Sequence, residues 1–248
     1  MTIPKAFLFD MNGTMINDMH HHEKAWFDIL NEDLKANMTM EQVKSHMYGK
    51  NEELFERVFG KDFYSVDDVA AYSLKKEQRY QQDYLPHLQL IAGLDKFLAK
   101  AREHHIKMGI GTAASPFNVD YVLDHIPVKT YFDVIITADD VPVSKPNPDV
   151  FLKCADDLGI AYENCIVFED SPKGVEAALD DLGIAYENCI VFEDSPKGVE
   201  AALRAGMKTV VLKTYHEEHE FAHLSNILWF VDDYNDPQLE GLFGSADR

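Results

Sequence analysis

Short continuous apolar runs punctuate the chain: Ala6 to Phe9, Ile106 to Ile110, Val134 to Ile136, Cys165 to Phe168 and Thr209 to Leu212. Each is rich in β-branched or aromatic residues and ends in a polar or small one. Unbroken rather than alternating apolarity is the pattern of a strand buried on both faces. Segments of helical period lie between the runs, among them Leu94 to His105 and Asn147 to Leu158. Strand and helix in alternation predict an α/β fold, a Rossmann-like parallel sheet with helices on both sides. The stretch 18–84 differs, being charged, helical in period and without a convincing strand. It predicts an all-helical cap inserted over the sheet's carboxyl edge, with 1–17 and 85–248 forming the core.

A repeat overlies this order. Residues 156–179 read DDLGIAYENCIVFEDSPKGVEAAL, and 180–203 read the same without one change. A period of 24 suggests a solenoid, but two copies are too few. Ancient repeats drift, so perfect identity implies a very recent or deliberate duplication. Either copy can supply the strand and helix that the sheet needs. Copy one keeps the covalent spacing from Lys145 to the acidic pair, which favours it. Copy two would then add a strand and push Thr209 to Leu212 outward. A spare segment at a sheet edge invites pairing between chains, so the expected state is a monomer or a segment-exchanged dimer.

Composition narrows the function. At 248 residues, 46% hydrophobic, the chain can bury a core without disulfides. Its formal net charge of -20 repels nucleic acid and anionic membranes. Cys154, Cys165 and Cys189 show no metal-ligand spacing, and no segment reaches transmembrane length or reads as a signal peptide. A cytoplasmic protein is expected.

Chemistry concentrates where strands end. Asp10 closes the first apolar run, and in a parallel sheet ligands bind at the strands' carboxyl ends. Gly13 permits a sharp turn just after it. The second run ends in Gly111-Thr112-Ala113-Ala114-Ser115-Pro116, where a hydroxyl and free N–H groups suit a phosphate. Lys145, between Ser144 and Pro146, is a positioned cation beside carboxylates. Glu169-Asp170 and their copies Glu193-Asp194 are paired carboxylates suited to an oxygen-ligated Mg²⁺.

These four motifs, in this order, resemble the haloacid dehalogenase superfamily, and within it the β-phosphoglucomutase and phosphatase branch. The resemblance implies that Asp10 attacks phosphorus and becomes an aspartyl-phosphate. It implies that Thr112 and Lys145 bind the transferring group. Asp10, the backbone carbonyl of Asn12 and a Glu-Asp pair would hold Mg²⁺. His22 and Trp26 match by spacing a cap His and Trp of that branch, and with Ala113 and Lys50 they complete the expected substrate contacts. His20 and His21, by contrast, read as a solvated helix start.

Two departures matter. Position 12 normally carries the acid–base aspartate, and here it is Asn12, which can neither give nor take a proton. That role is worth ~10²–10⁴-fold, so slow turnover is expected. Glu52 stands where the mutase keeps a basic residue for a second phosphate. Hydrolysis of a small phosphorylated metabolite is therefore favoured over a phosphomutase. A phospho-ligand-binding protein without turnover, or a chain duplicated by design, stays open.

Overall fold

The computed structural model describes residues 4–47, 50–143, 145, 147–170, 190–193, 196–204, 207–213 and 217–243. Strand β1 (Ala6–Phe9) is wholly buried and pairs in parallel with β2 (Lys107–Gly111) on one side and β4 (Cys165–Phe168) on the other. β3 (Val134–Ile136) extends the sheet beyond β2, giving the order β3-β2-β1-β4. Helices α5 (Leu94–Glu103), α6 (Pro116–His125) and α7 (Asp149–Leu158) connect or follow these strands. The strands separate two apolar layers by alternation. Phe7, Phe9 and Phe168 face Phe97 and Phe243 on one side, while Leu8 and Val167 meet Phe151, Cys154 and Leu158 on the other.

A second parallel ladder follows, β5 (Ile190–Glu193), β6 (Lys208–Leu212) and β7 (Ile227–Val231), in that order. Helix α8 (Pro196–Arg204) links β5 to β6. β4 and β5 are the same sequence in the two copies. β4 takes the place beside β1, and β5 takes the place beside β6. The stacked rings of Phe168 and Phe192, 4.6 Å apart, join the two ladders. Duplication is thus absorbed by lodging a second copy of a doubly buried strand in the apolar seam, where its side chains meet the same kind of neighbours. β7 was not among the expected strands. Trp229 and Phe230 lie half-buried in it, because it is the outermost strand of its ladder.

Helices α1 (Met19–Asp28), α2 (Met40–His46), α3 (Asn51–Phe59) and α4 (Val66–Tyr84) form the helical cap. They bury an apolar cluster of their own, including Trp26, Ile29, Leu30, Val43, Leu54 and Phe55. Thr39 closes a capping box with Gln42 at the start of α2, and Ser65 accepts from the Asp68 amide at the start of α4. Glu218 and Glu220 lie in a single short turn, Glu218–Phe221, with Glu217 just before it. Among the described residues no helix is long and apolar enough to cross a membrane.

Candidate active site

The chain leaves β1 at Asp10, whose amide donates to the Phe168 carbonyl at 2.9 Å and so continues the β1–β4 ladder. It then turns tightly. The Gly13 amide donates to the Ile16 carbonyl at 2.8 Å, and Gly13 adopts φ +83°. Glycine is needed twice over, for that backbone angle and for space. A Cβ there would lie 1.8 Å from an oxygen of Asp170, inside its carboxylate.

Lys145 is the hub. Its Nζ donates to Asp10 Oδ1 and Glu169 Oε1, each at 2.7 Å, and lies 4.6 Å from the Phe151 ring centroid. Asp10, Lys145 and Glu169 are all buried. Burial pushes the Asp10 carboxyl up to about 7, and Glu169 adds to the rise while Lys145 opposes it. Burial, then the charges of Glu169, Asp10 and Glu193, hold the Asp170 carboxyl well above the usual range. The Lys145 ammonium is held above its ordinary value, since the two carboxylates outweigh its burial. The pocket therefore concentrates more negative charge than one lysine offsets.

That imbalance bears on a divalent cation. Among the described residues no three carboxylate, imidazole or thiol groups are arranged as a cage for a metal. Mg²⁺ does not need one, because it keeps several waters and binds through one or two carboxylates plus substrate phosphate. Two carboxyls with raised proton affinity, converging on a turn too tight for any side chain at Gly13, fit such an ion.

Thr112 follows β2 and is buried; its amide bonds the Ile136 carbonyl at 3.0 Å. Its Oγ1 accepts from the Ala114 amide at 3.1 Å, which leaves the hydroxyl proton available to donate. Ala113, between them, is exposed at the turn. Glu193 ends β5, beyond β4 from Asp10; it is buried and close enough to raise Asp170. Asp194 lies outside the described residues.

The cap contributes a polar chain that the sequence did not announce. Asn12 Nδ2 donates to Asp18 Oδ2 at 2.6 Å, and the Tyr80 hydroxyl donates to the same oxygen at 2.5 Å. His22 Nε2 lies 3.3 Å from that oxygen, and its ring stacks on Tyr80. His22 Nδ1 meets Lys76 Nζ at 2.7 Å, and Lys76 pairs with Glu77 at 3.0 Å. Asn118 of α6 closes the chain, donating to Glu77 at 2.7 Å. Burial opposes ionisation of Glu77, but Lys76, His22 and Asn118 hold its carboxyl down to about 2. His22 thus belongs to this buried chain, whereas His20 is exposed. Trp26 packs in the cap's apolar cluster, with Lys76 Nζ 5.4 Å from its ring centroid. Lys50 reaches the core, donating to the Val141 carbonyl at 3.3 Å, and Glu52 is exposed. Asp18, Lys76, Glu77, Tyr80 and Asn118 were missed because charged residues in a helical pattern read as a solvated face. Lys76-Glu77 adjacent to the buried side of α4 was the available signal.

Comparison with known proteins places this arrangement. The family model described as haloacid dehalogenase-like hydrolase matches residues 7–180. A fructose-1-phosphate phosphatase of Escherichia coli strain K12 is 28% identical over 178 residues, covering 70% of this chain and 90% of that protein. Hexitol phosphatase B of the same strain is 26% identical over 191 residues, covering 70% and 78%. Among solved structures, β-phosphoglucomutase from Clostridium difficile superposes with a TM-score of 0.68 at 20% identity, covering 96% of this chain and 94% of that one. The chain belongs to the haloacid dehalogenase-like hydrolase family, and it is an enzyme.

Proposed function

We propose that this enzyme hydrolyses a small sugar phosphate in the presence of Mg²⁺, through an aspartyl-phosphate on Asp10. The observation that carries the reading is the buried Asp10 at the end of β1, held 2.7 Å from Lys145. The relatives named as fructose-1-phosphate and hexitol phosphatases supply the substrate class.

An Asp10 oxygen attacks phosphorus, and the bond from phosphorus to the sugar oxygen breaks. The departing oxygen takes a proton from solvent, since the Asn12 amide has none to give at neutral pH. Lys145 and the Thr112 hydroxyl face the phosphoryl oxygens and offset their charge. Water then attacks phosphorus, the Asp10–phosphorus bond breaks, and phosphate leaves with the surplus proton passing to solvent. Asp10, Asp170 with its neighbour Glu169, and the Asn12 backbone carbonyl would hold Mg²⁺, which supplies charge neutralisation at the phosphoryl group. Lys50 ties the cap to the core by donating to the Val141 carbonyl at 3.3 Å, and it is the cap cation that would meet a sugar phosphate.

The test is phosphate release from fructose 1-phosphate, hexitol phosphates and p-nitrophenyl phosphate with Mg²⁺, beside Asp10→Asn. Release by the wild type that falls at least ~10³-fold in the variant supports a nucleophilic role of this size; equal release by both would remove Asp10 from the mechanism. Asn12 favours a second reading, tight binding of a phosphorylated ligand with little turnover. Saturable binding without phosphate release is its signature.

The same assay assigns the two copies. Glu169→Gln removes a direct partner of Lys145 and should lower release by ~10-fold or more. Glu193→Gln changes the residue that ends β5, beyond β4 from Asp10, and should leave release within about threefold. Equal losses from both would show that copy two also serves the site.

A further inference from the structure

We infer that Asp18 is a positioning residue, which fixes the Asn12 amide so that its carbonyl oxygen accepts a hydrogen bond from the water attacking the aspartyl-phosphate. The inference rests on the phosphatase reading above.

A carboxylate can only accept, so the group facing Asp18 Oδ2 at 2.6 Å must be the nitrogen of Asn12. The amide is planar, and once its nitrogen is committed its oxygen points the other way. Among the described residues that oxygen takes no hydrogen bond, and the Asn12 side chain is only half-buried. It is thus an acceptor free to take a hydrogen bond, held in a fixed amide two residues along the chain from Asp10. Orientation of a water by an amide is a known substitute for proton abstraction in phosphoryl transfer.

Asp18 is built for this task rather than for stability alone. It is fully buried, yet three groups crowd one of its oxygens: Asn12, Tyr80 and His22. The other oxygen, Oδ1, is buried without a hydrogen-bond partner among the described residues. A carboxylate kept only to satisfy a core would have both oxygens paired. The oxygen that is served is the one that holds Asn12. Tyr80 and His22 in turn stack on each other, 3.7 Å between centroids, so the acceptor is fixed from the cap side. The cap thereby reaches the chemistry through Asn12 itself.

The experiment uses p-nitrophenyl phosphate with Mg²⁺ and the whole chain. Its leaving group departs without a proton, so formation of the aspartyl-phosphate appears as a burst and water attack sets the steady rate. Asp18→Leu should keep the burst amplitude and kcat/KM while the steady rate and KM fall together 10- to 100-fold, as loss of a contact that serves only the water-attack step predicts. Asn12→Ala, which leaves Asp18 its bonds to Tyr80 and His22, should show the same split and decides the matter if Asp18→Leu does not fold. In the ¹⁵N-labelled wild type, the Asn12 side-chain amide proton should lie far downfield, and Asp18→Leu should abolish that shift. A normal wild-type burst with an unchanged steady rate in both variants overturns this inference alone. An ordinary Asn12 amide shift does so too. No phosphate release by the wild type overturns the phosphatase reading, and this inference with it, whereas steady release without a burst shows that water attack does not limit and overturns this inference alone.

Discussion

Lys145→Met should abolish phosphate release and lower stability by about 3–5 kcal/mol at pH 8, the usual cost of removing one partner from a buried ion pair. Nζ is 2.7 Å from both Asp10 and Glu169, and all three side chains are buried. The loss should depend on pH. In the metal-free wild type the Asp10 carboxyl sits at about 7, above its ordinary 3.8. A carboxyl raised in the folded state binds its proton more tightly there than in the unfolded chain. Its contribution to stability is therefore complete below pH ~4 and is lost as pH rises through about 7, at ~1.4 kcal/mol per unit. The metal-free protein should melt lower at pH 8 than at pH 5, and Mg²⁺ should raise the melting temperature more at pH 8. Without Lys145 the carboxyl rises further, so the variant's deficit should be small at pH 5 and large at pH 8. Calorimetry at both values, with EDTA and with Mg²⁺, checks this. A deficit independent of pH would mean that Lys145 does not stabilise ionised Asp10.

Asn12→Asp alone should damage the protein rather than repair it. The simple expectation from sequence is that restoring the usual aspartate restores the acid–base group. The structure adds Asp18, whose Oδ2 is 2.6 Å from the position 12 nitrogen at a fully buried site. A second carboxylate there meets a like charge at hydrogen-bond distance, where both cannot ionise. The single variant should lose ~3–5 kcal/mol at pH 7, the scale of an uncompensated buried charge. Asn12→Asp with Asp18→Asn reverses the polarity of the pair and keeps its hydrogen bond. It should recover stability to within ~1 kcal/mol of wild type, a coupling of at least ~2 kcal/mol. With a carboxylate at position 12 it should also release phosphate up to ~10²-fold faster than wild type. Denaturant unfolding of the four proteins of the cycle, with steady-state release, measures both. An Asn12→Asp protein as stable as wild type would show that Asp18 and position 12 are not coupled.

The sequence by itself determined the α/β class and the four strand-end motifs. Doubly buried parallel strands write themselves as unbroken apolar runs, and a strand must end where Asp10 or Glu169 begins. Family membership rests on the same motifs, which are local in the chain. What only the tertiary structure decided is which pieces of chain meet. Identical sequences carry identical local preferences, so nothing local could say whether β4 or β5 lies beside β1. Placement of copy one there brings Glu169 to Lys145, 24 residues away. The polar chain from Asn12 through Asp18, His22, Lys76 and Glu77 to Asn118 spans three helices and the β1 turn. Asp18, Lys76 and Glu77 looked like solvated charge because periodicity reports which face of a helix is apolar, not what a second element lays over a polar one. Burial against the core turned them into a network whose hydrogen bonds fix the amide of Asn12, the residue at which the first motif departs from the pattern that the resemblance implies.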